Sequence, residues 1–175
     1  MMIEISLIRD LVAIFGVIAG FSYYVLIVRN QNRISKIQWR TQLFNMFATT
    51  EFQKEYIELL NWDWTDYNDF EKKYGSENNP NAYAKRIHIW TSFHTIGTYV
   101  KEGLLDISKV YTVSQMAIVQ WFKWKDIIEE QRKRYYNELF LRDWEYLVDE
   151  MIKYSEKIGH PFLPHAILSR DIPDK

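Results

Sequence analysis

From Leu11 to Val28 the chain reads LVAIFGVIAGFSYYVLIV, eighteen residues without a charged side chain. That run restricts the fold more than any other feature. As an α-helix it spans roughly 27 Å, close to the ~30 Å hydrocarbon core of a bilayer. Its apolar side chains surround the helix, whereas a surface helix of a water-soluble domain confines them to one stripe. Ser22 is the only clearly polar residue, and its hydroxyl can bond back to a helix carbonyl. A cleaved signal peptide presents a positive leader, a shorter apolar run and a small-x-small exit. Here Glu4, Arg9 and Asp10 precede the run, and Phe21, Tyr23 and Tyr24 stand where the exit belongs. The run reads as a transmembrane helix, with a fully buried core helix as the competing reading.

The flanks set an expected orientation. Arg29, Arg33, Lys36 and Arg40 follow the run, and no acid appears until Glu51. Upstream, Arg9 is offset by Glu4 and Asp10. Excess Lys and Arg mark the cytoplasmic side, so the amino end is expected outside the plasma membrane and the rest of the chain in the cytoplasm. The same four cations are placed to contact anionic lipid headgroups. The absence of cysteine fits a reducing compartment, and fits a disulfide-free exported domain equally well.

The expected organisation is a tail and membrane helix over residues 1–30 and one helical domain over 31–175. With 22 basic and 23 acidic residues, the chain lacks the bulk positive charge on which many nucleic-acid-binding proteins rely. Aromatic residues make up 17% of it, which points to a packed interior instead of disorder.

The helical pattern runs past the apolar stretch. Ala13, Gly16, Gly20, Tyr23, Ile27, Asn30, Ile34, Ile37, Thr41, Phe44 and Ala48 recur at alternating three- and four-residue steps, a 3.5-residue seam. Gly16 and Gly20 have the spacing that lets two membrane helices approach closely. One reading is a parallel homodimer along this helix, with Asn30 paired across the axis. The other, favoured because such glycine pairs are common by chance, packs Ile34, Ile37 and Phe44 on their own domain.

The remainder reads as a succession of helices. Thr50 and Gln53 resemble a capping box for a helix through Leu60. Thr65 is placed to cap a helix that Gly75 ends, and SENNPN (76–81) is the clearest loop. Residues 81–102 form the expected central helix, with Tyr83, Ile87, Trp90, His94 and Gly97 on one face. Ile89, Phe93, Ile96, Val100 and Leu104 form a second apolar face, which places this helix between others. Gly103 supplies a stop and Asp106 a cap. A long helical stretch follows from Ile107 to about Tyr136, with a break near 112–114. The last helix, 138–158, carries Phe140, Trp144, Leu147, Met151, Tyr154 and Ile158 at a regular period, and Phe162, Leu163, Ile167 and Leu168 are expected to fold back on the bundle. No stretch alternates at the two-residue period of a strand. The fold class is all-α, a single transmembrane helix continuing into a cytoplasmic helical bundle.

Chemistry is sparse. His88 and His94 lie about 120° apart around one helix and cannot share a metal at helical spacing. His160 and His165 lack a neighbouring cysteine or acid pair. Asp63, Asp66 and Asp69 lack the glycine and glutamate of a calcium loop, and Asp66 and Asp69 suit the positive end of the short helix beginning there. Arg132, Lys133 and Arg134 are interleaved with Asp126, Glu129 and Glu130, the pattern of a solvated, paired face. Phosphate-cradling loops and activated nucleophiles are missing. No catalytic residue, cofactor or metal site is assigned.

The segments Glu102-Gly-Leu-Leu-Asp106, Trp121 with Ile128 and Arg132, and Trp144-Glu-Tyr-Leu147 resemble a prokaryotic family of single-span membrane proteins with a cytoplasmic helical domain of unknown function. The resemblance covers nearly the whole chain and implies architecture without an activity.

Two functional expectations follow. The first is a non-enzymatic interaction module or accessory subunit of a membrane complex, with membrane lipids and a homodimer or complex subunits as partners. The alternative is a membrane-tethered hydrolytic enzyme using acids between Asp63 and Glu71 with Trp62, Trp64 or His94.

Overall fold

The computed structural model describes residues 2–162, with the side chains of residues 2–6, 36 and 40 left out. The described residues form seven helices and no strand: α1 (Met2–Ala48), α2 (Thr50–Asn61), α3 (Tyr67–Tyr74), α4 (Pro80–Lys101), α5 (Ile107–Ser114), α6 (Met116–Arg134) and α7 (Arg142–Lys157). The all-α expectation holds: one long apolar N-terminal helix is followed by a helical bundle. The chain divides into two compact units, Met1–Thr41 and Gln42–Lys175.

The first unit is one uninterrupted helix. Leu7 to Ala48 is long and apolar enough to cross a membrane, and none of its most apolar window is buried. Phe44, which falls in the second unit, is 58% exposed, which corrects the expectation that it packs on its own domain; Ile34 and Ile37 are 45% and 56% exposed along the first unit. The alternating seam runs along one side of α1, and the residues buried at its end, Leu43 and Phe47, lie off that seam. Within the second unit, Phe47 meets Phe52 edge-on at 5.0 Å and lies 5.9 Å from Phe93.

The second unit is organised around the pairing of α4 with α7, to which α2, α5 and α6 are added. Its fully buried large side chains include Trp90, Trp124, Trp144, Phe52, Phe70 and Phe93. Large rings bury much area and pack best edge-on or offset, as the 5.4 Å Trp90–Trp124 and 5.3 Å Phe93–Trp144 contacts do. Each indole N–H still needs an acceptor when water is removed. Trp144 Nε1 donates to the Ala117 carbonyl and Trp124 Nε1 to Gln120 Oε1. Gln120 in turn donates to the Tyr56 carbonyl, so α6 is tied to α2 through the core.

Gly97 allows the α4–α7 approach: a Cβ there would collide with the Asp143 carbonyl. Thr98 and Lys101 on α4 donate to the two carboxylate oxygens of Asp143, at 2.8 and 2.7 Å. These bonds, led by the one from Lys101, hold the Asp143 carboxyl below its usual range.

The helix ends follow local chemistry, with small shifts from expectation. The cap of α2 is Thr49, whose hydroxyl accepts from Phe52 N, instead of Thr50. Asp66, not Thr65, caps α3 by accepting from Asp69 N, while Asp69 accepts from Thr65 N. Gly75 ends α3 in an extended conformation, and its missing Cβ makes room for the Glu71 carbonyl. Gly103 (φ 72°) and Gly159 (φ 73°) provide left-handed stops. Asp106 caps α5 by accepting from Ser108 N. The expected break after Ile107 falls at Gln115. The last helix starts four residues later than expected because Leu141 adopts φ 56°, which no helical residue can keep. The expected tail contacts of Leu163, Ile167 and Leu168 lie outside the described residues.

Candidate functional site

The site of interest lies in the second unit and begins with α4. Its core stripe runs Ala82, Arg86, Ile89, Trp90, Phe93, Ile96 and Gly97, at helical three- and four-residue steps. Periodicity therefore carries Arg86 inward with the aromatic residues, and it is 1% exposed. Its guanidinium carbon lies 4.7 Å from the Trp90 ring, 4.8 Å from Phe70 and 5.0 Å from Tyr83. These faces offset part of the cost of removing the cation from water. They do not supply acceptors: Arg86 Nε and Nη1 are buried without a hydrogen-bond partner, as is Trp90 Nε1. Burial pushes the Arg86 pKa down, with the Glu71 carboxylate the leading opposing influence.

Arg86 opens onto a cavity of about 370 Å³. Glu71 from α3 and Gln131 from α6 contribute polar groups to its wall, and Tyr83, Ile87 and Phe140 contribute apolar surface. Glu71 Oε1 is 3.5 Å from Gln131 Nε2 but forms no ion pair with Arg86, although both line the same space. Opposite charges thus face one cavity without closing on each other. Beside Glu71, the Tyr67 hydroxyl is buried without a partner. Burial first and the Glu71 carboxylate second hold its proton on.

The rim is built by the α6–α7 connection. Arg132 Nε donates to the Phe140 carbonyl at 2.8 Å, and Nη1 pairs with Glu145 of α7 at 3.0 Å. Asn137 N donates back to the Arg132 carbonyl. Together with the positive φ of Tyr136 (49°) and Leu141, these bonds place Phe140 at the cavity instead of on the last helix. The expectation of a solvated face over Arg132 to Arg134 is corrected for Arg132, which is largely buried, and holds for Arg134, paired with Glu130 at 2.9 Å.

The other sequence candidates are dispersed. Gly16 and Gly20 have open space around them, and Arg29, Asn30, Arg33, Ile34 and Ile37 are exposed along α1. The Lys36 and Arg40 side chains lie outside the described residues. Asp63 is a solvent-exposed partner of Lys73, and Asp69 pairs with the same lysine at 2.9 Å. Trp62 stacks on Tyr74 at 4.1 Å and Trp64 on Trp124 at 4.6 Å. His94 sits on α4 toward Asp143, its pKa lowered by burial. Of the acids between Asp63 and Glu71, Glu71 alone lines the cavity. His88 pairs with Glu55 at 2.6 Å, His165 lies outside the described residues, and no metal-binding cluster occurs among those described.

Sequence reasoning passed over Arg86, Gln131 and the cavity role of Phe140. One signal was available: continuing the Ile89–Phe93–Ile96 stripe one turn toward the amino end lands on Arg86 and Ala82. No protein-family model, curated protein or solved structure matches this chain.

Proposed function

We propose that the chain is a single-pass membrane protein whose helical domain is a non-enzymatic interaction or accessory-subunit module. The observation that carries this reading is α1, in which most of the large apolar side chains from Leu7 to Ile27 are exposed and none of the most apolar window is buried, a surface that calls for a solvent other than water. The basic flank after Val28 favours an amino end outside the plasma membrane and a cytoplasmic domain. Arg29 and Arg33, with Lys36 and Arg40, then meet lipid headgroups.

Ile34, Ile37 and Phe44 lie beyond the eighteen-residue span and are exposed, where acyl chains do not cover them. A second copy covers them along the same seam, with Asn30 facing Asn30 and Gly16 and Gly20 at the closest approach. The capping roles of Asp66 and Asp69, and a cavity lining that includes Glu71 but not His94, support binding over the hydrolytic alternative.

The test uses native membranes. The protein should remain in the pellet after alkaline carbonate, and protease should digest the domain only in inverted vesicles. Ile37→Cys in this cysteine-free chain should give a disulfide-linked dimer on mild oxidation. Carbonate release would overturn the anchor, and a monomer at every seam position would overturn the pairing.

A further inference from the structure

A buried arginine with two unpartnered nitrogens is costly. Packing alone would be served better by an apolar side chain of similar volume. Glu71 does not neutralise Arg86 by contact, although it lines the same cavity. The cation and the carboxylate are therefore two ends of one space, one end donating and the other accepting hydrogen bonds. Gln131, on α6 and near Glu71, can do either. Tyr83 and Phe140 supply flat apolar walls.

This arrangement selects among ligand chemistries. A phosphate or simple carboxylate would satisfy Arg86 and be repelled by Glu71. An alkylammonium would satisfy Glu71 and be repelled by Arg86. A group that presents an acceptor beside a donor on one planar edge satisfies both ends and can lie against the rings. The cavity volume, about 370 Å³, is at the lower end of the range for metabolite-sized ligands. We infer that the Arg86–Glu71 cavity binds a small planar molecule with an amide-type acceptor–donor edge, such as a carboxamide or an amino-substituted nitrogen heterocycle, with its acceptor on Arg86 and its donor on Glu71. The inference does not depend on the membrane anchor or on self-pairing.

The test is ligand-observed NMR on the full chain in lipid nanodiscs, with nicotinamide, cytosine and acetamide as probes and acetate and inorganic phosphate as comparators. Saturation transfer to at least one amide-type probe is expected with the native chain. Arg86→Met and Glu71→Gln should each weaken that binding about tenfold or more, the usual effect of losing a hydrogen bond to a charged group. Arg86→Met should at the same time leave the melting temperature unchanged or raise it, which separates lost binding from lost folding. Should Arg86→Met fail to fold, Glu71→Gln and Phe140→Ala carry the comparison. Binding of acetate or phosphate that strengthens in Glu71→Gln would overturn the proposal in favour of an anion site. Equal binding by native and variant chains, or no response to any of the three amide-type probes at millimolar concentration, would overturn it outright.

Discussion

The two units of this chain violate the ordinary inside–outside rule in opposite directions. In the first, Val17, Phe15 and Phe21 are among many large apolar side chains open to the surroundings. In the second, Trp90, Trp124 and Trp144 are sealed from solvent, yet Arg86 is sealed in with them. Scattered exposed apolar residues are normal, whereas a long continuous apolar surface, or a buried cation without acceptors, requires a reason. For α1 the reason is that burial within the chain is not what uses its apolar surface. For Arg86 it is that the charge faces a cavity and the fold leaves its donors unspent. On the readings proposed above, the contrast separates what each unit does: one surface is for an apolar medium, and one interior point is for a polar visitor.

The largest effect should come from making α1 obey the ordinary rule. Replacing both Val17 and Ile18 with Arg costs about 5–7 kcal/mol at a helix centre in a bilayer. Carbonate extraction should then release the protein, while the near-UV circular dichroism of the bundle is unchanged. Loss of that signal would mean that the apolar surface of α1 serves the fold and not a membrane.

Next in size is a breach of the sealed core. Trp144→Ala should cost about 3–5 kcal/mol, because it empties the contact with Phe93 and leaves the Ala117 carbonyl without its donor. Urea unfolding monitored by the remaining tryptophans measures it. A loss below about 1 kcal/mol would place the core elsewhere than at the α4–α7 pair.

Arg86→Met removes a residue just as deeply buried and should have the opposite sign. Replacing buried charge with an apolar side chain of similar volume is often neutral or stabilising by about 1–4 kcal/mol. The same urea midpoint should hold or rise. A destabilisation as large as that of Trp144→Ala would show that Arg86 serves the fold through its ring contacts, which would erase the contrast.

The smallest effect concerns acid. The Asp143 carboxyl has a depressed pKa, so its contribution is fully present above the ordinary carboxylate value of about 3.9 and is lost as pH falls through the folded-state value. The half-buried His94 has a depressed pKa as well, with burial its leading cause. Its neutral form is favoured in the fold, so stability also declines as pH drops below about 6.5. Asp143→Asn should cost up to about 1 kcal/mol at neutral pH, because Lys101 stays in contact with solvent. It should also flatten the decline below about pH 4 while leaving the decline that begins near pH 6.5. Thermal melts from pH 7 to pH 3 read both limbs.

The outcome for individual residues shows what kinds of information a linear chain carries. Gly103, Asp106 and Gly159 act where their local chemistry predicts, because a stop or a cap depends on neighbours within one helical turn. Thr49 in place of Thr50, and Asp66 in place of Thr65, are errors of one residue between adjacent groups with similar capping ability. Phe140 is different in kind. Its spacing with Trp144 and Leu147 fits a helix, but Arg132 reaches across from α6 to bond its carbonyl and Leu141 turns left-handed, so the helix begins after it. Arg132 likewise looks like one charge in a solvated run, and only the arrival of α7 with Glu145 makes it a buried support.

What the chain determines by itself is therefore set by local energetics: the all-α class, the apolar length of α1, its unbroken helical period and most helix stops. Tertiary structure alone decided that Phe44 stays exposed, that Arg86 is enclosed and that Glu71 faces it without closing the pair. The physical reason is that burial, ion pairing and cavity shape depend on which helices become neighbours, and a residue's charge or period does not name its neighbours in space. Gly97 shows the point most simply: in sequence it is a weak helix former, and in the fold it is the gap through which α7 reaches α4.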